Sequence, residues 1–296
     1  MTRKVWLEVS LNGAGRGDQD FVPVAVEDLI EQGIQCVEAG AAIVHFHPYD
    51  PETRKQRDDP EIYARVIEGI RGKVDAIVYG TLPAVGTADA PTVEDVKQRH
   101  AAVEALAERG LIEWTVVDPG TTNFALFDQA AKDQLGTVYL NPEEHVRHGL
   151  ALAERFGLHA SYAIYEPGFL RLGAALKRRF PLAPTPIYRF MFSDSFTFGF
   201  PPKAYALEAY LTLLEEIAPG APWMIAGLAV DIRPLVASAV ERGGHVRVGL
   251  EDAPRNTMVG NLEWVARATE LIQHAGGEPA SAAEVRAVLA HVPSEA

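Results

Sequence analysis

The sequence predicts an α/β fold, a (β/α)8 TIM barrel with an extra C-terminal helix. Three observations carry this. Short apolar runs alternate with amphipathic helical segments eight times. No shift of composition or linker-like stretch interrupts the alternation, so the chain reads as a single catalytic barrel domain over 1–296. Helices of about ten residues or more between strands impose crossovers and hence parallel pairing, which at this length leaves the barrel, or the doubly wound open sheet, as the arrangement.

Taken in order, residues 5–11 read as the first strand, broken by a glycine-rich loop at 12–17 that lacks the spacing of a dinucleotide fingerprint. Leu29, Ile30, Ile34 and Val37 carry a helical period that stops at Gly40. The second strand is Ile43-Val44-His45-Phe46-His47, followed by a turn-rich loop and a helix over 60–70. Strands at 76–81, 112–117, 159–165, 187–192, 223–226 and 246–250 follow. The helices between and after them lie at 93–109, 142–156, 170–179, 203–217, 232–241 and 259–274. Asn141 caps and Gly157 closes the helix at 142–156. Residues 124–140 read as irregular, and the extra helix lies at 282–290.

Composition is that of an ordinary globular enzyme, 48% hydrophobic and 23% charged. No apolar run reaches the ~20 residues of a membrane span, and the first residues lack a signal-peptide apolar core. Cys36 is the only cysteine, which excludes an intrachain disulfide and a cysteine zinc cluster. A cytoplasmic protein is the expectation. The net charge of −13 argues against nucleic acid or an anionic membrane as partner, while leaving room for an anionic small substrate met by buried arginines.

The chemistry gathers at the ends of two strands. His45 and His47 point the same way in a strand, as a metal-ligand pair or as two histidines hydrogen-bonded in a polar pocket. Arg247, Gly249 and Glu251 share a parity on the eighth strand, so Arg247 and Glu251 face the interior together. The second and eighth strands both neighbour the first in a closed barrel, about 9–10 Å apart. His45, His47 and Glu251 then form a His2Glu set with one position open to substrate, the pattern of a catalytic zinc. Asp252, on the opposite parity, is a general base or, equally, a structural acid paired with Arg247. His100, His145, His148, His274 and His291 fall on helices or the tail and are expected in solvent; His159 and His245 precede strands in structural roles.

The stretch Glu38-Ala39-Gly40-Ala41-Ala42-Ile43-Val44-His45-Phe46-His47, together with Gly243-Gly244-His245-Val246-Arg247-Val248-Gly249-Leu250-Glu251-Asp252, resembles the β-keto acid cleavage enzymes over nearly the whole chain. The resemblance implies a zinc-dependent barrel, usually a homotetramer. Such an enzyme condenses a β-keto acid with acetyl-CoA and releases acetoacetate and a new acyl-CoA by a retro-Claisen route. It implies His45, His47 and Glu251 as zinc ligands, Asp252 as base, Arg247 as its electrostatic partner, and Asn12, Thr81, Thr121 and Asn123 as substrate-binding residues. The substrate shell departs from the family pattern. Gly15 stands where a substrate-contacting glutamate is usual, Gly80-Thr81-Leu82-Pro83 replaces Ser-Thr-Gly-Gly, and Asp118-Pro119-Gly120-Thr121 replaces Asn-Ala-Gly-Thr. A glutamate usual on the fifth strand is replaced near Ser161 or Ala163. Loops 80–83, 118–123 and 193–200 are expected to line the pocket. The loss at Gly15 points to a neutral, apolar or anionic distal group, with Arg189 either meeting an anionic tail or turned outward. A zinc-dependent barrel hydrolase and a metal-binding non-catalytic paralogue are the alternative readings.

Overall fold

Residues 2–14, 21–83 and 93–291 are described by a computed structural model. Eight parallel strands form one sheet: β1 (Leu7–Ser10), β2 (Ile43–Phe46), β3 (Ile77–Gly80), β4 (Trp114–Val116), β5 (His159–Ile164), β6 (Ile187–Phe192), β7 (Trp223–Gly227) and β8 (His245–Val248). Their spatial order is β3-β2-β1-β8-β7-β6-β5-β4, and the end strands β3 and β4 lie against each other, so the barrel is nearly closed. No backbone ladder joins that last pair among the described residues. Side chains bridge it instead: the Tyr79 and Trp114 rings lie 5.8 Å apart, and the Tyr79 hydroxyl sits 3.3 Å from Ser161 Oγ on β5.

Helices alternate with the strands: α1 (Val26–Glu38), α2 (Pro60–Arg71), α3 (Val93–Glu108), α4 (Glu143–Phe156), α5 (Pro167–Lys177), α6 (Ala204–Ile217), α7 (Val236–Glu241) and α8 (Asn261–His274). Local chemistry accounts for their ends. Asp59 accepts the Glu61 N–H to open α2, and Gly157 closes α4 at a left-handed φ of 68°. Pro167 sits in the first turn of α5 and starts it before the apolar period begins at Leu170. The final helix, Ala282–Leu289, opens with a reciprocal Ser281–Glu284 capping box.

Four features differ from expectation. Asn141 does not cap α4: Pro142 stands at the cap, and the Asn141 side chain is bonded to Arg99 and to the Gly120 carbonyl instead. Residues 5–11 are not one strand: Arg3–Val5 pairs in parallel with Gly277–Pro279, and only Leu7–Ser10 joins the barrel. Residues 124–140 contain a short helix, Phe127–Ala130, and the antiparallel partner of strand Thr122–Phe124, namely Thr137–Tyr139. Both strands are three residues long and none of their residues is fully buried, so they carry little apolar alternation. His100 and His145 are buried, at 2% exposure each, rather than solvated. They lie on α3 and α4, which pack against each other, and His100 Nδ1 is bonded to the Val96 carbonyl.

The floor of the barrel is aromatic. Trp6 stacks on His245 at 3.9 Å, its backbone N–H donates to His245 Nδ1, and its ring meets that of Trp114. The cavity lies at the other end, toward the strand C-termini, where barrels of this kind carry their chemistry.

Candidate active site

His45 lies in β2 opposite Ser10 of β1 and Tyr79 of β3. His47 follows the end of the strand, and its backbone is clamped by Asn12. The Asn12 Oδ1 accepts the His47 N–H at 2.7 Å, while its Nδ2 donates to the carbonyls of His47 and Pro23 at 2.9 Å. The two imidazoles share a face, with ring centroids 5.4 Å apart at 88°. Gln56 fixes the His47 tautomer. Its Nε2 donates to Asp58, which turns its Oε1 toward His47 Nδ1 at 2.9 Å; Nδ1 therefore carries a proton, which leaves Nε2, facing Glu251, as the nitrogen through which a metal would be held.

Glu251 reaches these histidines because β8 ends in a turn. Gly249 adopts φ +138°, and the Asp252 and Ala253 N–H groups donate back to its carbonyl. A Cβ at 249 would fall 2.2 Å from the Ser10 carbonyl oxygen, so only glycine fits. Gly249→Ala is expected to cost about 3 kcal/mol or more of stability, read as a lowered urea midpoint. A midpoint unchanged from wild type would mean that β1 and β8 can part here.

In this arrangement Glu251 Oε1 lies 3.3 Å from His47 Nε2 and Oε2 lies 3.5 Å from His45 Nε2. One donor atom from each of the three residues falls within 4.8 Å of the others. Two imidazole nitrogens and a carboxylate oxygen are a zinc donor set, and the direction in which His47 Nε2 faces fits it. Burial holds His45 well below the ordinary histidine pKa. Burial works the same way on His47, but the Glu251 carboxylate overrides it and leaves His47 raised. On Glu251 burial is outweighed by Arg247 and then the two histidines, which hold the carboxyl well below its usual range.

Arg247, 1% exposed, is bonded to three carboxylates. It grips Asp252 with two parallel bonds of 2.9 Å, from Nε to Oδ2 and from Nη2 to Oδ1. The same Nη2 lies 2.8 Å from Glu251 Oε2, and Nη1 donates to Glu8 Oε1 at 3.1 Å. Glu8 also accepts from the Tyr79 hydroxyl at 2.8 Å, and burial pushes its carboxyl up to about 7. Burial likewise raises Asp252, against the pull of Arg247.

A cavity of about 180 Å³ opens beside this cluster, bounded on one side by His45, His47, Glu251 and Arg247. Its other wall is largely aromatic, with Phe124, Tyr139, Tyr165 and Phe196. Loops 80–83, 118–123 and 193–200 each contribute, through Thr81 and Leu82, Asp118, and Phe196. Asp118 accepts from the Tyr139 hydroxyl and from the Ala163 N–H. Asn12, Thr121, Asn123 and Asp252 do not line the cavity. Asn12 holds the His47 backbone, the Thr121 hydroxyl accepts the Asn141 N–H at 2.9 Å, and Asn123 is exposed on its short strand. Asp252 stands behind Arg247, which is the member of that pair facing the cavity. Gly15 lies outside the described residues.

Sequence reasoning passed over Glu8, Gln56 and Tyr79. The signal for Glu8 was a charge inside a strand flanked by Leu7 and Val9, on the same parity as Ser10. Arg189, left open between tail and solvent, carries the same signal and points inward, 3% exposed, into the cavity.

Residues 4–290 match the family described as beta-keto acid cleavage enzyme. The sequence is 25% identical over 303 residues to 3-dehydrocarnitine:acetyl-CoA trimethylamine transferase of Rhizobium meliloti, covering 97% of this chain and 96% of the relative. It is 26% identical over 278 residues to 3-keto-5-aminohexanoate cleavage enzyme of Fusobacterium nucleatum, covering 90% of each. It is 25% identical over 296 residues to 3-oxoadipate:acetyl-CoA acetyltransferase of Cupriavidus necator, covering 98% of this chain and 95% of the relative. Among solved structures, apo ObcA superposes with a TM-score of 0.70 at 16% identity, over 91% of this chain and 65% of that longer one, a likeness of fold.

Proposed function

Because the chain belongs to the beta-keto acid cleavage enzyme family, we propose that it is a zinc-dependent acyltransferase that condenses a β-keto acid with acetyl-CoA and releases acetoacetate and a new acyl-CoA. One observation carries this reading: His45, His47 and Glu251 converge within 4.8 Å on the wall of a cavity. His45, His47 and Glu251 would hold the zinc, which when bound supplies a Lewis acid to polarise the keto group.

The chain's own residues supply the rest. Arg247 orients Asp252 through both carboxylate oxygens and holds Glu251 in place at the same time. Asp252 is the base that takes a proton from C2 of the β-keto acid, the carbon between its keto and carboxylate groups, and burial shifts its pKa upward, the direction that favours accepting a proton. Since Asp252 stands behind the guanidinium, the pair must open toward the cavity as the β-keto acid arrives. The resulting carbanion attacks the thioester carbonyl of acetyl-CoA and expels the CoA thiolate; the thiolate adds to the keto carbon, and retro-Claisen cleavage of the bond from that carbon to C2 releases the new acyl-CoA and acetoacetate, whose carbanion takes the proton back from Asp252. Thr81 lines the cavity within reach of a substrate. Asn12 serves the substrate indirectly through His47, while Thr121 and Asn123, which do not line the cavity, are given no part in binding.

The reading is tested by an acetyl-CoA-coupled screen of β-keto acids differing only in the distal group, run beside controls without any CoA ester. Acetoacetate released only when acetyl-CoA is present supports it. Turnover in the controls would move the protein to a hydrolase.

A further inference from the structure

We infer that Arg189 is an anion-binding residue in the depth of the cavity, and that the substrate carries a second carboxylate, remote from its keto group, for Arg189 to hold. The identity of the substrate as a β-keto acid rests on the reading proposed above; the anion site rests on the following geometry.

Arg189 stands in the middle of β6, and its side chain, 4% exposed, lines the cavity. A guanidinium offers five N–H donors. Those of Arg189 make no hydrogen bond among the described residues, and its Nε is fully buried without a partner. The nearest carboxylate oxygen, Glu8 Oε1, lies 3.7 Å from Nη1, beyond hydrogen-bond reach. That oxygen is already taken by the Tyr79 hydroxyl at 2.8 Å and by Arg247 Nη1 at 3.1 Å. Arg247 thus has three carboxylates around it, while Arg189 has only a distant share of one. Burying a guanidinium without a hydrogen-bonded counter-ion is unfavourable, so a pocket that keeps one gains by admitting an anion. Planar recognition of a carboxylate is what that fork of donors does best.

The depth of Arg189 says which end of the substrate it meets. Glu8 lies two residues before Ser10, the partner of His45, so Arg189 sits about one side-chain layer below the three metal-site residues. The keto group has to meet acetyl-CoA arriving from the open end. The group pushed down onto Arg189 is therefore the one at the other end of the molecule. This narrows the expected distal group from neutral, apolar or anionic to anionic.

The test compares 3-oxoadipate with its terminal amide, which keeps the shape and removes the distal charge, on zinc-loaded wild type, Arg189→Met and Arg189→Lys, with acetyl-CoA. Wild type is expected to favour the acid in kcat/KM by about tenfold or more. In Arg189→Met the acid should lose about 10²-fold while the amide stays within about threefold, with partial recovery in Arg189→Lys. Zinc content and melting temperature of each variant serve as folding controls. An equal loss for acid and amide would overturn the distal assignment and place Arg189 on the carboxylate common to both. A wild-type preference for the amide would overturn the anion site altogether. If no β-keto acid is turned over, the functional reading fails separately. Calorimetric binding of the same two compounds without CoA ester then still decides: acid-selective binding abolished in Arg189→Met supports the site, and equal binding refutes it.

Discussion

His47→Ala protein is expected to lose most of the roughly one zinc per chain that the wild type should carry after purification. The argument is geometric. His47 Nε2 faces Glu251 Oε1 at 3.3 Å with its tautomer set by Gln56, and its backbone is held from both sides by Asn12. A side chain so constrained loses little freedom on binding a metal, and its removal leaves only two donors. Elemental analysis of both proteins, with melting temperature as the folding control, reads the outcome. Full zinc occupancy in the variant would sink the assignment of these residues.

Asp252→Asn should retain zinc and fold but turn over about 10²-fold more slowly or worse. The amide keeps the size of the carboxylate and one acceptor oxygen for Arg247, so the packing around the pair survives while the proton acceptor is gone. Steady-state rates with acetyl-CoA and a turned-over β-keto acid, measured alongside zinc content, separate chemistry from structure. A rate equal to wild type would leave Asp252 as a partner of Arg247 and nothing more.

Much of this was legible in the sequence, for reasons that are physical and local. Eight alternations of strand and helix sufficed for the barrel because crossovers leave few topologies. The meeting of His45 and His47 with Glu251 followed from period-two alternation and from β1 lying between β2 and β8. Asp252 shows where that argument stops. On strand parity it would face away from Glu251, yet both carboxylates converge on Arg247 because β8 ends at Val248 and Gly249 turns the chain. A left-handed glycine is not announced by its neighbours. Nor was the role of Asn12 legible, since its bonds run to the backbone of a residue 35 positions away. The depth of His100 and His145 depended on how α3 packs on α4, which helical position alone does not reveal.

The unpaired meeting of β3 and β4 has a consequence for how the barrel breathes. A sheet opens most cheaply where no ladder has to be broken, and among the described residues side chains hold the edges together here: the Tyr79 and Trp114 rings, the Tyr79 hydroxyl and, at the opposite end from the cavity, Arg286 bonded to Asp75, Ala76 and Glu113. Backbone amides along that seam should exchange with deuterium sooner than those of β1 and β8, which are laddered on both sides. Thr81, Leu82 and Asp118 follow directly from the two seam strands and line the cavity. Opening at the seam therefore moves the cavity wall opposite Glu251, giving the cavity room to adjust to its occupant while the histidine wall stays rigid.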